Sequence, residues 1–392
     1  MATGLPADSR SLRALVLLLA GVASTPVAVA QSSPAPTASQ SVVPAARESV
    51  DSLIKRLGLV EAPAPVRERD GWSKPKAVLV RGFTPQLLTA LQQAAPGVNL
   101  LQASSDAEAV RLVKQADAVI GFCSPDVIGA GTRVRWVQTL SAGVESCVST
   151  PALRERNILL TNMQRVAGPV MAEHVIAMIM ASARGLDYYI SERPARSWND
   201  HPPAPMRMIA IEGKTLLVVG LGGIGTEVAR RASALGMVVD AVRASGHEGP
   251  PFVRHVGLPD ELLQLAAHAD FIVNTTPLTP ETRGLFDAKF FAAAKQGAYF
   301  VNVGRGQSVV QKDLVAALRS GRLAGAGLDV TEPEPLPADD PLWTMTNVII
   351  TPHVSTESDL GQAARIAITA ENLRRYVAGE KMLSVVDLSR GY

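Results

Sequence analysis

Residues 215–225 read TLLVVGLGGIG, an apolar run that ends in glycines at 220, 222 and 225. The spacing is G-x-G-x-x-G, and the text beyond it, TEVARRASALG, reads as an amphipathic helix. A strand, a glycine turn and a helix in that order limit the fold to a parallel α/β unit. Each glycine has a steric reason. Gly220 permits the tight turn, Gly222 lets a pyrophosphate approach the backbone, and Gly225 lets the helix pack close to the strand. With Gly223 and Ile224 they make a candidate cofactor cradle, in which the free N–H groups of the helix start face an anion.

A site for NAD calls for Asp or Glu about 20 residues further on, at the end of the next strand. That strand is MVVDAV, and just past it stand Arg243, Ala244 and Ser245. Arg243 and Ser245 suit a 2′-phosphate, which a carboxylate would repel, so NADP(H) is favoured over NAD(H). The alternative is that Arg243 stacks on adenine and the interior Asp240 serves the ribose.

From residue 75 the chain alternates short apolar runs with helical patterns. Runs at 76–82, 98–103, 116–122, 134–140 and 157–162 predict one series of strands. Runs at 215–220, 237–242, 269–275, 297–303, 325–330 and 347–352 predict a second series of six. The pattern implies an α/β chain of two Rossmann-like domains, each a parallel sheet flanked by helices. The first, flavodoxin-like and substrate-binding, is expected over 74–172 and 354–392; the dinucleotide-binding domain is expected over 173–353. The stretch 171–192 reads as one long apolar helix, and 360–379 as a closing helix that returns to the first domain.

The formal net charge is +2, with 38 basic against 36 acidic residues, which argues against nucleic acid or an anionic membrane as the main partner. Arg10 and Arg13, the apolar run 14–23 and Ala28-Val29-Ala30 form a three-part export signal over 1–30. That run is too short to span a bilayer, and no other stretch is long enough. Localisation outside the cytosol is therefore expected, or inside it if the true start lies further on. Residues 31–73 read as a spacer with a short helix. Cys123 and Cys147 show no metal-ligand spacing; two buried thiols are favoured over a pair.

In VNVGRGQS, 301–308, Arg305 stands between two glycines, which are expected to leave its guanidinium accessible. Together with SAGVE (141–145), AGPVMAEH (167–174), TPLTPETRGLFD (276–287), GLDVTEPEP (327–335) and TPHVS (351–355), the chain resembles the D-isomer-specific 2-hydroxyacid dehydrogenases, nearest to the glyoxylate/hydroxypyruvate reductases. The resemblance covers about residues 75–392. It implies hydride transfer between a nicotinamide cofactor and a small D-2-hydroxy or 2-keto acid. It implies Arg305, Glu334 and His353 as the catalytic set, with Glu334 chosen over Glu332 by its distance from Asp329. Arg305 would grip a carboxylate and carbonyl with its planar fork. His353 would exchange a proton with the carbonyl oxygen, oriented by Glu334. The resemblance also implies Thr276, Pro277, Val303 and Asp329 along the dinucleotide, and Ala142, Gly143 and Val144 around the substrate carboxylate. His174 reads as a domain-boundary residue or a satisfied core histidine. A homodimer through the long apolar helix is implied as well. The competing class is a non-enzymatic, dinucleotide-sensing protein on the same fold, similar to co-repressors. Formate oxidation is disfavoured because that branch has Gln in place of the Glu334 type.

Overall fold

The computed structural model describes residues 48–82, 84–196, 198–201 and 208–389. The export pattern at 1–30 and the spacer up to 47 lie outside the described residues. Helix α1 (Val50–Leu57) is capped by the Ser49 hydroxyl and ends at Gly58 in the left-handed region. The first sheet follows from β1 (Ala77–Arg81), α2 (Pro85–Ala94), β2 (Asn99–Ala103), α3 (Asp106–Leu112), β3 (Ala118–Ile120), α4 (Pro125–Ala130), β4 (Trp136–Gln138), α5 (Glu145–Val148), α6 (Pro151–Glu155) and β5 (Leu159–Thr161). Its five parallel strands take the order β2-β1-β3-β4-β5, the flavodoxin-like order. The three short strands β3, β4 and β5 are buried throughout, as a sheet covered on both faces requires.

The chain then crosses to a second parallel sheet. Its elements are α7 (Gly168–Arg184), α8 (Leu186–Glu192), β6 (Thr215–Val219), α9 (Gly223–Ala234), β7 (Val238–Val242), β8 (His255–Gly257), α10 (Leu262–Ala266), β9 (Phe271–Asn274), α11 (Ala288–Ala293), β10 (Ala298–Asn302), α12 (Gln311–Arg319), β11 (Leu323–Leu328) and β12 (Val348–Ile350). The order is β12-β11-β10-β9-β6-β7-β8. The sheet has seven strands rather than the six expected: β8 is the addition, and it completes the outer edge next to β7. The direction of the order reverses between β6 and β9, where open α/β sheets form a ligand crevice.

Helix α13 (Asp359–Ala378) returns to the first sheet. Its Tyr376 stacks on Trp136 with ring centroids 4.7 Å apart, and the Trp136 indole donates to the Thr161 hydroxyl at 2.8 Å. Leu373 and Tyr376 share a core cluster with Val78, Val80 and Leu91.

Two expectations are corrected here. The stretch 171–192 is two helices, not one, because Gly185 takes a left-handed φ of 59° and ends α7. Met171, Val175, Met178 and Ile179 of α7 are buried in the core beneath the second sheet, whereas α8 buries none of its residues. Cys123 and Cys147 form a disulfide, with Cα atoms 5.2 Å apart, instead of two buried thiols. The bond ties the end of β3 to α5. Among the described residues no helix is long and apolar enough to cross a membrane.

Candidate active site

The predicted site residues stand beyond the carboxyl ends of adjacent strands, in the order of the sheet itself. His353 follows β12, Asp329 follows β11, Val303 and Arg305 follow β10, Thr276 and Pro277 follow β9, Gly220 follows β6, and Arg243 and Ser245 follow β7. On the facing sheet, Ala142, Gly143 and Val144 follow β4 and lead into α5.

The glycine turn fits a dinucleotide. A Cβ on Gly225 would stand 2.0 Å from the Gly220 carbonyl oxygen, so helix and strand are as close as the motif demands. Gly220 has a φ of 99°, and its carbonyl accepts the Thr275 hydroxyl at 2.6 Å. A Cβ on Gly222 would meet nothing within 4 Å, and α9 begins without a side-chain cap. Open space over free backbone donors at a helix start suits a phosphate pair. Ile224 is half-buried beside it. Gly223 lies against Arg165, a residue of left-handed backbone at the crossing between the sheets.

At the far end of β7, Arg243 donates to the Glu248 carbonyl at 2.9 Å, and Ser245 is exposed. Asp240 is buried and gripped by Arg254 through Nε at 2.9 Å and Nη2 at 2.5 Å. In this structure the Asp240 carboxylate is thus engaged by a guanidinium of the chain itself.

Glu334 and His353 meet. The imidazole Nδ1 is 2.9 Å from Glu334 Oε2, and both side chains are half-exposed. The other carboxylate oxygen accepts the Thr331 amide at 3.0 Å, which fixes the glutamate. Glu332 is exposed, and its backbone amide donates to Gln311 Oε1 at 3.3 Å. His353 itself has a left-handed φ of 55°, and its amide donates to the Asp329 carbonyl at 2.8 Å.

Asp329 is buried, and its carboxylate accepts from the Thr351 hydroxyl at 2.6 Å and the amides of Val354 and Ser355 at 2.9 and 3.1 Å. Burial works against its charge, but the donors from Ser355, Thr351 and Val354 outweigh it and hold the carboxyl below the ordinary value. His174 Nε2 lies 3.0 Å from the Thr351 hydroxyl, so it is partnered at the same boundary. The lowered value fixes the sign of a pH effect. The stabilisation from Asp329 is complete above the unfolded carboxyl range, about pH 4, and is lost as pH falls through its folded value. Asp329→Asn is expected to cost about 1–3 kcal/mol at neutral pH, by setting an amide against amide donors. Its deficit relative to wild type shrinks as acid is added. Paired acid and urea titrations check this; a deficit that does not change with pH contradicts it.

Arg305 is not free. Its Nε donates to Glu145 Oε1 at 2.9 Å, Nη2 reaches Oε2 at 3.4 Å, and Nη1 donates to the Gly304 carbonyl at 2.7 Å. Nor do the flanking glycines serve its exposure. A Cβ on Gly304 would lie 2.8 Å from the Thr276 carbonyl oxygen, and one on Gly306 would lie 1.8 Å from that of Thr331. They are there so that the loops after β9, β10 and β11 can touch. Sequence reasoning also missed the polar frame beneath them. The Asn274 amide donates to Asn302 and Ser308 at 2.9 and 2.7 Å, and the Ser308 hydroxyl and Asn302 amide both donate to the Arg305 carbonyl. All three residues are buried. The one available sign was the recurrence of Asn at the ends of FIVN and AYFVN. Among the described residues no group of His, Cys, Asp and Glu is arranged to hold a metal ion.

Residues 176–355 match the family described as D-isomer specific 2-hydroxyacid dehydrogenase, NAD binding domain. The mouse protein named glyoxylate reductase/hydroxypyruvate reductase is 35% identical over 261 residues, which are 66% of this chain and 79% of that one. A solved D-isomer specific 2-hydroxyacid dehydrogenase family protein from Aeromonas salmonicida superposes with a TM-score of 0.70 at 33% identity, over 81% of this chain and all of that one. An NADPH-dependent glyoxylate/hydroxypyruvate reductase from Sinorhizobium meliloti, solved with NADP and sulfate, superposes with a TM-score of 0.68 at 28% identity, over 81% of this chain and 100% of its own.

Proposed function

The chain belongs to the D-isomer-specific 2-hydroxyacid dehydrogenase family of NAD(P)-dependent oxidoreductases, and from that premise we propose that it reduces small 2-keto acids, glyoxylate or hydroxypyruvate among them, with NADPH preferred to NADH. The observation that carries the reading is the Glu334–His353 pair, set beyond the same sheet edge as Arg305 and the glycine turn. When bound, the nicotinamide supplies the hydride. The residues of the chain do the rest. Arg305 holds the carboxylate against the loop of Ala142, Gly143 and Val144. Glu334 holds Nδ1 of His353, which leaves Nε2 to exchange a proton with the carbonyl oxygen. Thr276, Pro277 and Val303 line the path between the glycine turn and Arg305.

The preference for NADPH is supported by Arg243 and Ser245 at the end of β7 and by the engagement of Asp240 with Arg254. The names of the mouse and Sinorhizobium relatives support the substrate class. Work outside the cytosol is supported by the leader pattern and by the Cys123–Cys147 disulfide. Assembly as a homodimer is supported by Met180, Leu186 and Ile190, which are large, apolar and exposed on α7 and α8.

Steady-state rates across a panel of 2-keto acids, with both cofactors, test the proposal. The expected kcat/KM ratio is about tenfold or more for NADPH over NADH, the worth of one charge-assisted contact to the 2′-phosphate. Absence of turnover with every acid removes the reductase reading; a preference for NADH removes the cofactor assignment alone.

A further inference from the structure

Arg305 already holds a carboxylate. Glu145, the first residue of α5, covers the Nε–Nη2 edge of the guanidinium at 2.9 and 3.4 Å. The contact crosses from the first sheet to the second, between residues 160 apart in sequence. The guanidinium also lies directly on the substrate loop. A Cβ on Gly143 would stand 1.8 Å from Nη2 and 3.0 Å from Cζ of Arg305, and 2.7 Å from Glu145 Oε2. No atom of a ligand fits between Arg305 and Gly143 in this arrangement. The gap in which a substrate carboxylate would sit is closed, and the carboxylate that Arg305 binds is supplied by the chain.

We propose that Glu145 is a specificity-determining residue: it occupies Arg305 in place of the substrate's carboxylate, so a 2-keto acid binds only by displacing it. The inference rests on the reading of Arg305 as the substrate anchor. Two facts give it physical weight. The pair is side-on, with both glutamate oxygens on one guanidinium edge, the geometry in which an arginine also holds a free carboxylate. Both partners are partly exposed, with side-chain exposures of 28% and 35%, so the pair is weak enough for a ligand to break. A site competent in only a fraction of molecules binds more weakly by that fraction. The internal carboxylate therefore raises KM and leaves the chemical step alone. A second consequence concerns substrate class. Once displaced, the Glu145 charge remains beside the pocket mouth on α5. It repels a second carboxylate on the substrate and favours 2-keto monocarboxylates.

The test uses Glu145→Gln, which keeps size and removes charge. KM for glyoxylate is expected to fall about fivefold, the upper worth of a partly exposed ion pair, with the change in KM and not in kcat. Oxaloacetate, a 2-keto dicarboxylate, is expected to gain more than glyoxylate does. Binding of oxamate, an unreactive analogue, followed by calorimetry is expected to tighten by the same factor. A KM and an oxamate affinity that stay the same or weaken in Glu145→Gln overturn the proposal and make Glu145 a support for Arg305. Should the wild type reduce no 2-keto acid, the reductase reading fails by itself, while the oxamate titration still reports on Glu145.

Discussion

His353→Asn lowers kcat for 2-keto acid reduction by about 10²–10⁴-fold, the usual worth of a positioned acid–base group, and leaves NADPH affinity within about twofold. Asparagine is the right replacement because residue 353 has a φ of 55°, a region that asparagine tolerates better than most residues. The amide bond to the Asp329 carbonyl is then kept, so the loss reports the imidazole and not a refolded loop. The dinucleotide cradle, beyond β6, does not include this side chain. Glu334→Gln is expected to cost less, because the ring remains and only its anchor changes. Stopped-flow turnover together with a fluorescence titration of NADPH separates the two quantities. Full turnover by His353→Asn would remove the acid–base assignment.

Gly306→Ala carries the second large effect, on stability and activity together. A methyl at 306 would stand 1.8 Å from the Thr331 carbonyl oxygen and 2.1 Å from its carbonyl carbon, both backbone atoms that cannot rotate away. One of the loops after β10 and β11 has to move. Thr331 is the residue whose amide holds Glu334, so the movement reaches the Glu334–His353 pair, and Arg305 is the immediate neighbour on the other side. Overpacking of this kind costs about 1–3 kcal/mol, or roughly 1–4 °C in melting temperature for a chain of 392 residues. kcat/KM is expected to fall by at least about tenfold as Arg305 and His353 are displaced relative to each other. Differential scanning calorimetry and initial rates check both halves. A variant with wild-type melting and wild-type rates would mean that these loops yield without consequence.

Much of this was readable in the sequence, for physical reasons that also explain what was not. Central strands such as β1, β6 and β9 are nearly continuous apolar runs because they are covered on both faces, and such runs stand out. β8 did not, since it is three residues long, begins with an exposed histidine and ends in glycine. The break at Gly185 was hidden because its neighbours are apolar on both sides, and composition outweighs a single glycine in such a reading. Glycines 304 and 306 were seen as significant, but their reason is contact between neighbouring loops, which only a folded sheet brings together. The same holds for Glu145. Its partner is 160 residues away, and nothing local marks a glutamate in SAGVE as the counter-ion of an arginine in VGRGQ. The disulfide was equally out of reach, because a separation of 24 residues suits bonded and free cysteines alike.

The two crossings between the sheets have a mechanical consequence. One passes Arg165 and the other His353, each with a left-handed backbone, and Asp329 moors the second crossing to the β11 end through three donors. Imidazole, glutamate, guanidinium and glycine turn thus all stand beyond strands of one sheet. Were one sheet to swing against the other, the proton-handling pair would travel together. The strain would fall instead on the Arg305–Glu145 contact, the ion pair that fastens the two sheets across the cleft.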